Sequence, residues 1–180
     1  MKRQKGVQVV VIVEDRELER FVRRTLEAFG FNRNKVRVCP DYPKGKSGDA
    51  KQYVNKTYEK EIVTFRQKSR ENRVLLVGTD ADQMTVSQRI QVLETNVNPV
   101  RNSEERIVYW IPRWHVETWG LYFMGNTVDE DTKYKTRAKQ IEWKYAGTAF
   151  KDEYGRSKRE VVETLDSLKT AYAETQRLEI

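Results

Sequence analysis

Apolar positions run almost without a break through VQVVVIV (7–13), and the chain then turns into Glu14 and Asp15. A strand that is apolar on both faces belongs to a parallel sheet covered by helices on both sides. The next segment, RELERFVRRTLEAFGF (16–31), sets Leu18, Phe21, Val22, Leu26 and Phe29 at helical spacing, with Gly30 where such a helix should stop. A short second strand is predicted at KVRVCP (35–40), closed by Pro40. The turn-rich, basic segment DYPKGKSGD (41–49) reads as a loop. Tyr53 to Arg70 reads as a polar helix on which Tyr58, Ile62 and Phe65 recur every three or four positions. RVLLVGTDAD (73–82) supplies a third strand. Behind it, TVSQRIQVLE (85–94) makes a helix with Val86, Ile90 and Leu93 on one face, and RIVYWIP (106–112) is a fourth strand ended by Pro112.

This alternation predicts an α/β fold: a mostly parallel, Rossmann-like four-stranded sheet with helices on both faces. From RWHVETWGLYFMG (113–125) through EVVETLDSLKTAY (160–172) the pattern is helices joined by polar loops. The expected organisation is an α/β domain over residues 1–124 with a C-terminal helical elaboration, 125–180, packed on it. Nothing in the chain reads as a repeat, a low-complexity tract or a linker, and 180 residues can bury a substantial core.

Charge and cysteine content narrow the partners. The formal net charge is +7, with Lys and Arg interspersed among acids, which favours a polyanionic partner, nucleic acid above all, through counterion release. A merely basic soluble protein is the plainer alternative. The longest apolar run is far short of the roughly 20 residues that span a bilayer, so no membrane association is expected. MKRQKG (1–6) is basic but is not followed by a small-residue cleavage site. With Cys39 as the single cysteine, a reducing, cytoplasmic location is expected.

The candidate chemistry sits at the strand ends. Asp80 and Asp82 follow the third strand, and Glu14 with Asp15 follows the first. In parallel α/β sheets the working site lies at the carboxyl ends of the strands, so neighbouring first and third strands would gather three or four carboxylates on one edge. Such a cluster needs a cation. All-oxygen ligands suit Mg²⁺ or Mn²⁺ rather than zinc, for which the chain offers one Cys and one His. The chemistry these ions support is phosphoryl transfer, and without metal one of the carboxyls should have a raised pKa. The innocent alternative is that these acids only cap helices, with Asp82 capping the helix that begins near Met84.

VVVIVEDRELERFVRRTLEAFGF followed by VLLVGTDADQ resembles the TOPRIM domain shared by topoisomerases, primases and nucleases of the overcoming-lysogenisation-defect type. In that family a glutamate ends the first strand and a D-x-D ends the third, around a catalytic Mg²⁺. Glu14 matches the first position, and Asp80 and Asp82 match the second. IPRWHVETWGLYF (111–123) is similar to the E-x-W segment of small standalone TOPRIM-like proteins, some tied to phage defence, and Glu117 would be its acid. The resemblance covers roughly Val7 to Met124. It departs at Asp15, where the family usually has a glycine, so that Asp15 would crowd a substrate phosphate or supply another ligand. The ATPase domain of the larger nucleases makes an ATPase one expected protein partner.

The loop at 41–49 with its G-K-S imitates a phosphate-binding P-loop, but Pro40 stands where that loop needs a glycine. Lys44, Lys46 and Lys51 are instead candidates to contact a nucleic-acid backbone, with Lys46 closest in role to stabilising transition-state charge; a solvated basic loop is the alternative. Trp110, Trp114 and Trp119, with Tyr109, Tyr122 and Phe123, could stack on bases, but core packing is the simpler expectation, with any surplus marking a homo-oligomer interface. His115 is explained by a position near a helix N-terminus, or it orients water beside Glu117. These readings lead to a metal-dependent nuclease acting on DNA or RNA, in which Glu14, Asp80 and Asp82 hold the ion and Glu117 or Asp15 completes the site. Two other classes stand beside it: a nucleic-acid-binding subunit without catalysis, and a protein-interaction subunit of a defence complex.

Overall fold

In the computed structural model the described residues are 6–40, 47–68 and 70–180. Four strands form one all-parallel sheet: β1 (Gln8–Val13), β2 (Val36–Val38), β3 (Arg73–Gly78) and β4 (Ile107–Trp110), in the order β2-β1-β3-β4. The helices are α1 (Arg16–Ala28), α2 (Ser47–Gln67), α3 (Val86–Thr95), α4 (Val116–Phe123), α5 (Trp143–Ser157) and α6 (Asp166–Thr175). The predicted α/β class and parallel sheet are therefore what the chain forms. One boundary moves: α2 begins at Ser47, several residues before the predicted start at Tyr53, so part of the segment read as a loop is helix.

Because side chains alternate across a strand, the apolar runs feed two cores. Val9, Val11 and Val13 of β1, with Val74, Leu76, Val108 and Trp110, face α1 and the C-terminal helices. Val10 and Ile12, with Leu75, Val77, Ile107 and Tyr109, face α2 and α3. The five residues Val9 to Val13 are all buried, as a strand covered on both sides should be.

The C-terminal helices are structural parts of the first core. Phe150 of α5 packs with its ring centroid 5.6 Å from Phe21 and 5.1 Å from Trp110. The indole N–H of Trp110 donates to Thr175 Oγ1 (3.0 Å) and that of Trp119 to Ser167 Oγ (2.7 Å), so α6 satisfies the two buried tryptophans. Trp143 Nε1 donates to Glu17 Oε2 at 2.9 Å across the α1–α5 contact. Truncating Phe150 to alanine would cost about 3–5 kcal/mol. Ile141, Trp143, Ala146, Phe150 and Tyr154 are thus spent on packing, while Tyr145 is exposed, and Trp110 and Trp119 are core residues, as the simpler expectation had it.

Candidate functional site

Val13 of β1 pairs in register with Gly78 of β3, so the residues that follow both strands emerge side by side. The Glu14 backbone N–H donates to the Gly78 carbonyl (3.2 Å), continuing the ladder by one step. The Glu14 carboxylate then turns across: its Oε2 accepts from Thr79 Oγ1 at 2.6 Å and from the Asp80 backbone N–H at 3.1 Å. The turn after β3 is tied to the fourth strand's end by Ala81 N–H donating to the Pro112 carbonyl (2.9 Å). Arg113 donates to the carbonyls of Asp82 and Met84.

Asp80 is buried at this edge, and its Oδ2 lies 2.9 Å from His115 Nδ1. Burial pushes the Asp80 carboxyl up to about 7; the hydrogen bond from His115 opposes the rise, and the negative charges of Glu14 and Asp15 add to it. This is the raised carboxyl expected of such a cluster. His115 stands at the N-cap of α4, yet its side chain makes no capping bond. It belongs to the carboxylate edge.

Asp15 caps α1, accepting from Leu18 N–H at 2.9 Å through Oδ1. Glu117, in the first turn of α4, is 2% exposed. Burial pushes its carboxyl up, its own backbone N–H opposes the rise, and the charge of Asp15 adds to it. Asp82 does not cap the following helix: Thr85 does, in a reciprocal capping box with Gln88. Asp82 instead adopts the left-handed region (φ 55°), which aspartate tolerates better than most residues. Its carboxylate is ion-paired with Lys51 of α2. Lys44 and Lys46 lie outside the described residues.

The structure therefore joins the Glu14 carboxylate to the Asp80 backbone N–H, sets His115 against the Asp80 carboxylate, and pairs Asp82 with Lys51. Among the described residues no group of three or more His, Cys, Asp or Glu is placed so that it could hold a metal ion. Of the three expected ligands, Glu14 meets Asp80 through the Asp80 backbone N–H, and Asp82 is ion-paired with Lys51.

Beside the acids lies a cleft of about 390 Å³ lined by Lys51, Asp82, Met84, Arg89, Trp114 and Lys133. Arg89, on α3, is 3% exposed. It donates through Nη2 to Thr79 Oγ1 (3.1 Å) and Asn55 Oδ1 (3.2 Å). Thr79 thus links the Arg89 guanidinium to the Glu14 carboxylate. Sequence reasoning missed Arg89, which looks like a solvent-facing arginine between Val86, Ile90 and Leu93. It also missed Lys133, whose Nζ sits 4.3 Å from the ring centre of Trp114. No helix among the described residues is long and apolar enough to cross a membrane. Comparison with protein-family models, curated proteins and solved structures finds no significant match to this chain.

Proposed function

We propose that this edge is the active site of a metal-dependent phosphodiester hydrolase acting on nucleic acid. The observation that carries the reading is the placement of Glu14 and Asp80 at abutting ends of paired strands, next to a cleft that holds Lys51, Arg89 and Lys133. Carboxylates beside a basic cleft match the two halves of a phosphodiester site: a place for a hard cation and a place for the substrate's charge.

Glu14 and Asp80 would hold Mg²⁺ or Mn²⁺, with Asp82 a third ligand once released from Lys51. When bound, the ion neutralises charge on the phosphate and lowers the pKa of a water molecule. The protein's own groups do the rest. Thr79 and the Asp80 backbone N–H fix the orientation of the Glu14 carboxylate. His115 orients Asp80 through Nδ1. Lys51 attracts the strand toward the edge.

The test is a titration of supercoiled plasmid and labelled DNA and RNA single strands with Mg²⁺ and Mn²⁺, using wild type beside Glu14→Gln and Asp80→Asn. Cleavage that requires the ion and falls at least a hundredfold, roughly, in both variants supports the reading. Strand binding that is unchanged by the ion, with no cleavage, would replace it by a binding subunit whose partner supplies the activity.

A further inference from the structure

We infer that the cleft beside the carboxylates is a phosphate-binding subsite centred on the guanidinium of Arg89, flanked by the ammonium groups of Lys133 and Lys51. In its choice of a nucleic-acid phosphate as occupant the inference rests on the function proposed above. The binding step itself needs neither metal nor cleavage.

Arg89 is the anchor because it is a buried charge with no carboxylate in hydrogen-bond contact. It is 3% exposed, its two hydrogen-bond partners, Asn55 and Thr79, are neutral, and its Nε–H is buried with no partner among the described residues. Elsewhere the half-buried Arg101 and Arg66 are paired directly with carboxylates. Arg101 is hydrogen-bonded through Nε to Glu94 at 2.8 Å and through both terminal nitrogens to Glu174 at 2.5 and 2.7 Å. Arg66 meets Glu105 in the same two-pronged way. Burying an arginine with no anion in contact is costly, and an arriving anion offsets that cost. The burial that disfavours the Arg89 charge is eased by Glu14 and Asp80, which lie across Thr79 and do not contact it.

The second cation is placed from a different part of the chain. Lys133 forms no ion pair among the described residues and holds its ammonium 4.3 Å from the centre of the Trp114 ring. A cation–π contact of this kind fixes the position of a charge and leaves its N–H donors for a ligand. Lys51 completes the set, so three cations face one carboxylate, Asp82, in the cleft. A planar guanidinium with an unused Nε–H, flanked by two ammonium groups, suits the oxygens of a phosphate ester. The Asp82 carboxylate occupies part of the same space. An incoming phosphate therefore competes with it for Lys51 and frees it toward Glu14 and Asp80.

The experiment uses the full chain at low salt in the presence of EDTA, so that no cleavage intervenes. The Arg Nε–Hε resonances are followed by NMR and binding by calorimetry. The probes are inorganic phosphate, a nucleoside 5′-monophosphate and a short oligothymidylate with and without a 5′-phosphate. The expected result is saturable binding that shifts the Arg89 Nε–Hε resonance and weakens about ten- to a hundredfold in Arg89→Gln and about tenfold in the exposed, fold-neutral Lys133→Gln. Asp82→Asn should bind phosphate more tightly. The monophosphate and the oligomer separate a free nucleotide from a strand: the assignment to a strand stands if the oligomer binds more tightly than the monophosphate, and is overturned if the monophosphate binds as tightly. An Arg89 resonance unmoved by every probe, or full affinity in Lys133→Gln, overturns the subsite. Asp80→Asn should keep phosphate binding while losing cleavage, so a failed nuclease reading and a failed phosphate site give different results.

Discussion

His115 Nδ1 lies 2.9 Å from Asp80 Oδ2, joining the start of α4 to the turn after β3 across 35 positions of sequence. It is the one hydrogen bond that favours the charged form of an Asp80 otherwise penalised by burial and by Glu14 and Asp15. With its pKa pushed up to about 7, Asp80 is raised above the ordinary value of about 3.9 for an unfolded aspartate. Its stabilising contribution is therefore fully present below about pH 4 and is lost as the pH rises through about 7. Lys51, Arg89 and His115 face the same group and moderate the effect without reversing its sign. Urea unfolding in EDTA should show wild type losing stability between about pH 4 and pH 7, by at most about 4 kcal/mol. Asp80→Asn should flatten that part of the profile, and an unchanged slope in the variant would show that another group carries it.

Thr79 Oγ1 is both a donor to Glu14 and an acceptor from Arg89, so it couples the acidic and basic halves of the edge. Thr79→Val keeps the shape and removes the hydroxyl, leaving a buried guanidinium and a carboxylate each short of a partner. The expected cost is about 1–3 kcal/mol of stability. Thr79→Ser should recover most of it. If valine is as stable as threonine in chemical denaturation, the hydroxyl is not the link described.

Much of this architecture was legible from residue patterning alone. The apolar runs at 7–13 and 74–77 become the two central strands because only a doubly covered strand can bury both faces, and their adjacency follows from the short connections of an α/β fold. The spacing of Leu18, Phe21, Val22 and Leu26 likewise marks the buried face of α1. What was not legible depends on long-range placement. Arg89 carries no mark of burial in its own helix, and its partners Asn55 and Thr79 come from α2 and the turn after β3. His115 looks like a helix-start residue until Asp80 is set beside it. Lys133 acquires a role only because the segment after α4 brings it over Trp114. Periodicity reports which face of an element is apolar; it carries no information about which distant polar groups meet.

Cys39, at the end of the segment after β2, is buried and has its thiol pushed up to about 12, first by burial and then by the nearby Glu61 carboxylate. A thiol with a raised folded pKa favours the fold below its unfolded value of about 8.5, and that contribution is lost as the pH climbs toward 12. Because the thiolate is the nucleophile, native protein at about pH 8.5 should react with iodoacetamide on the order of a hundredfold more slowly than urea-unfolded protein. Mass spectrometry of quenched time points checks this. Equal rates would place Cys39 at the surface.

The ion pair between Lys51 and Asp82 makes two predictions of opposite sign. Lys51 occupies the Asp82 carboxylate and also carries its charge near Glu14 and Asp80: burial lowers its pKa, and the charges of those two acids oppose the fall. Replacing it by methionine frees the aspartate and removes the repulsion that a divalent cation would meet. Lys51→Met should therefore bind Mn²⁺ more tightly, roughly five- to tenfold, as expected for loss of one partly exposed charge contact of about 1 kcal/mol. The same change deletes a cation from the phosphate cleft and should weaken oligothymidylate binding by a similar factor, with a shallower dependence on salt. Electron paramagnetic resonance of Mn²⁺ and fluorescence anisotropy of a labelled strand read the two quantities separately. A variant that weakened both would assign Lys51 to the structural support of the edge; tighter metal with weaker strand binding is the outcome expected if Lys51 opposes a metal and attracts the strand.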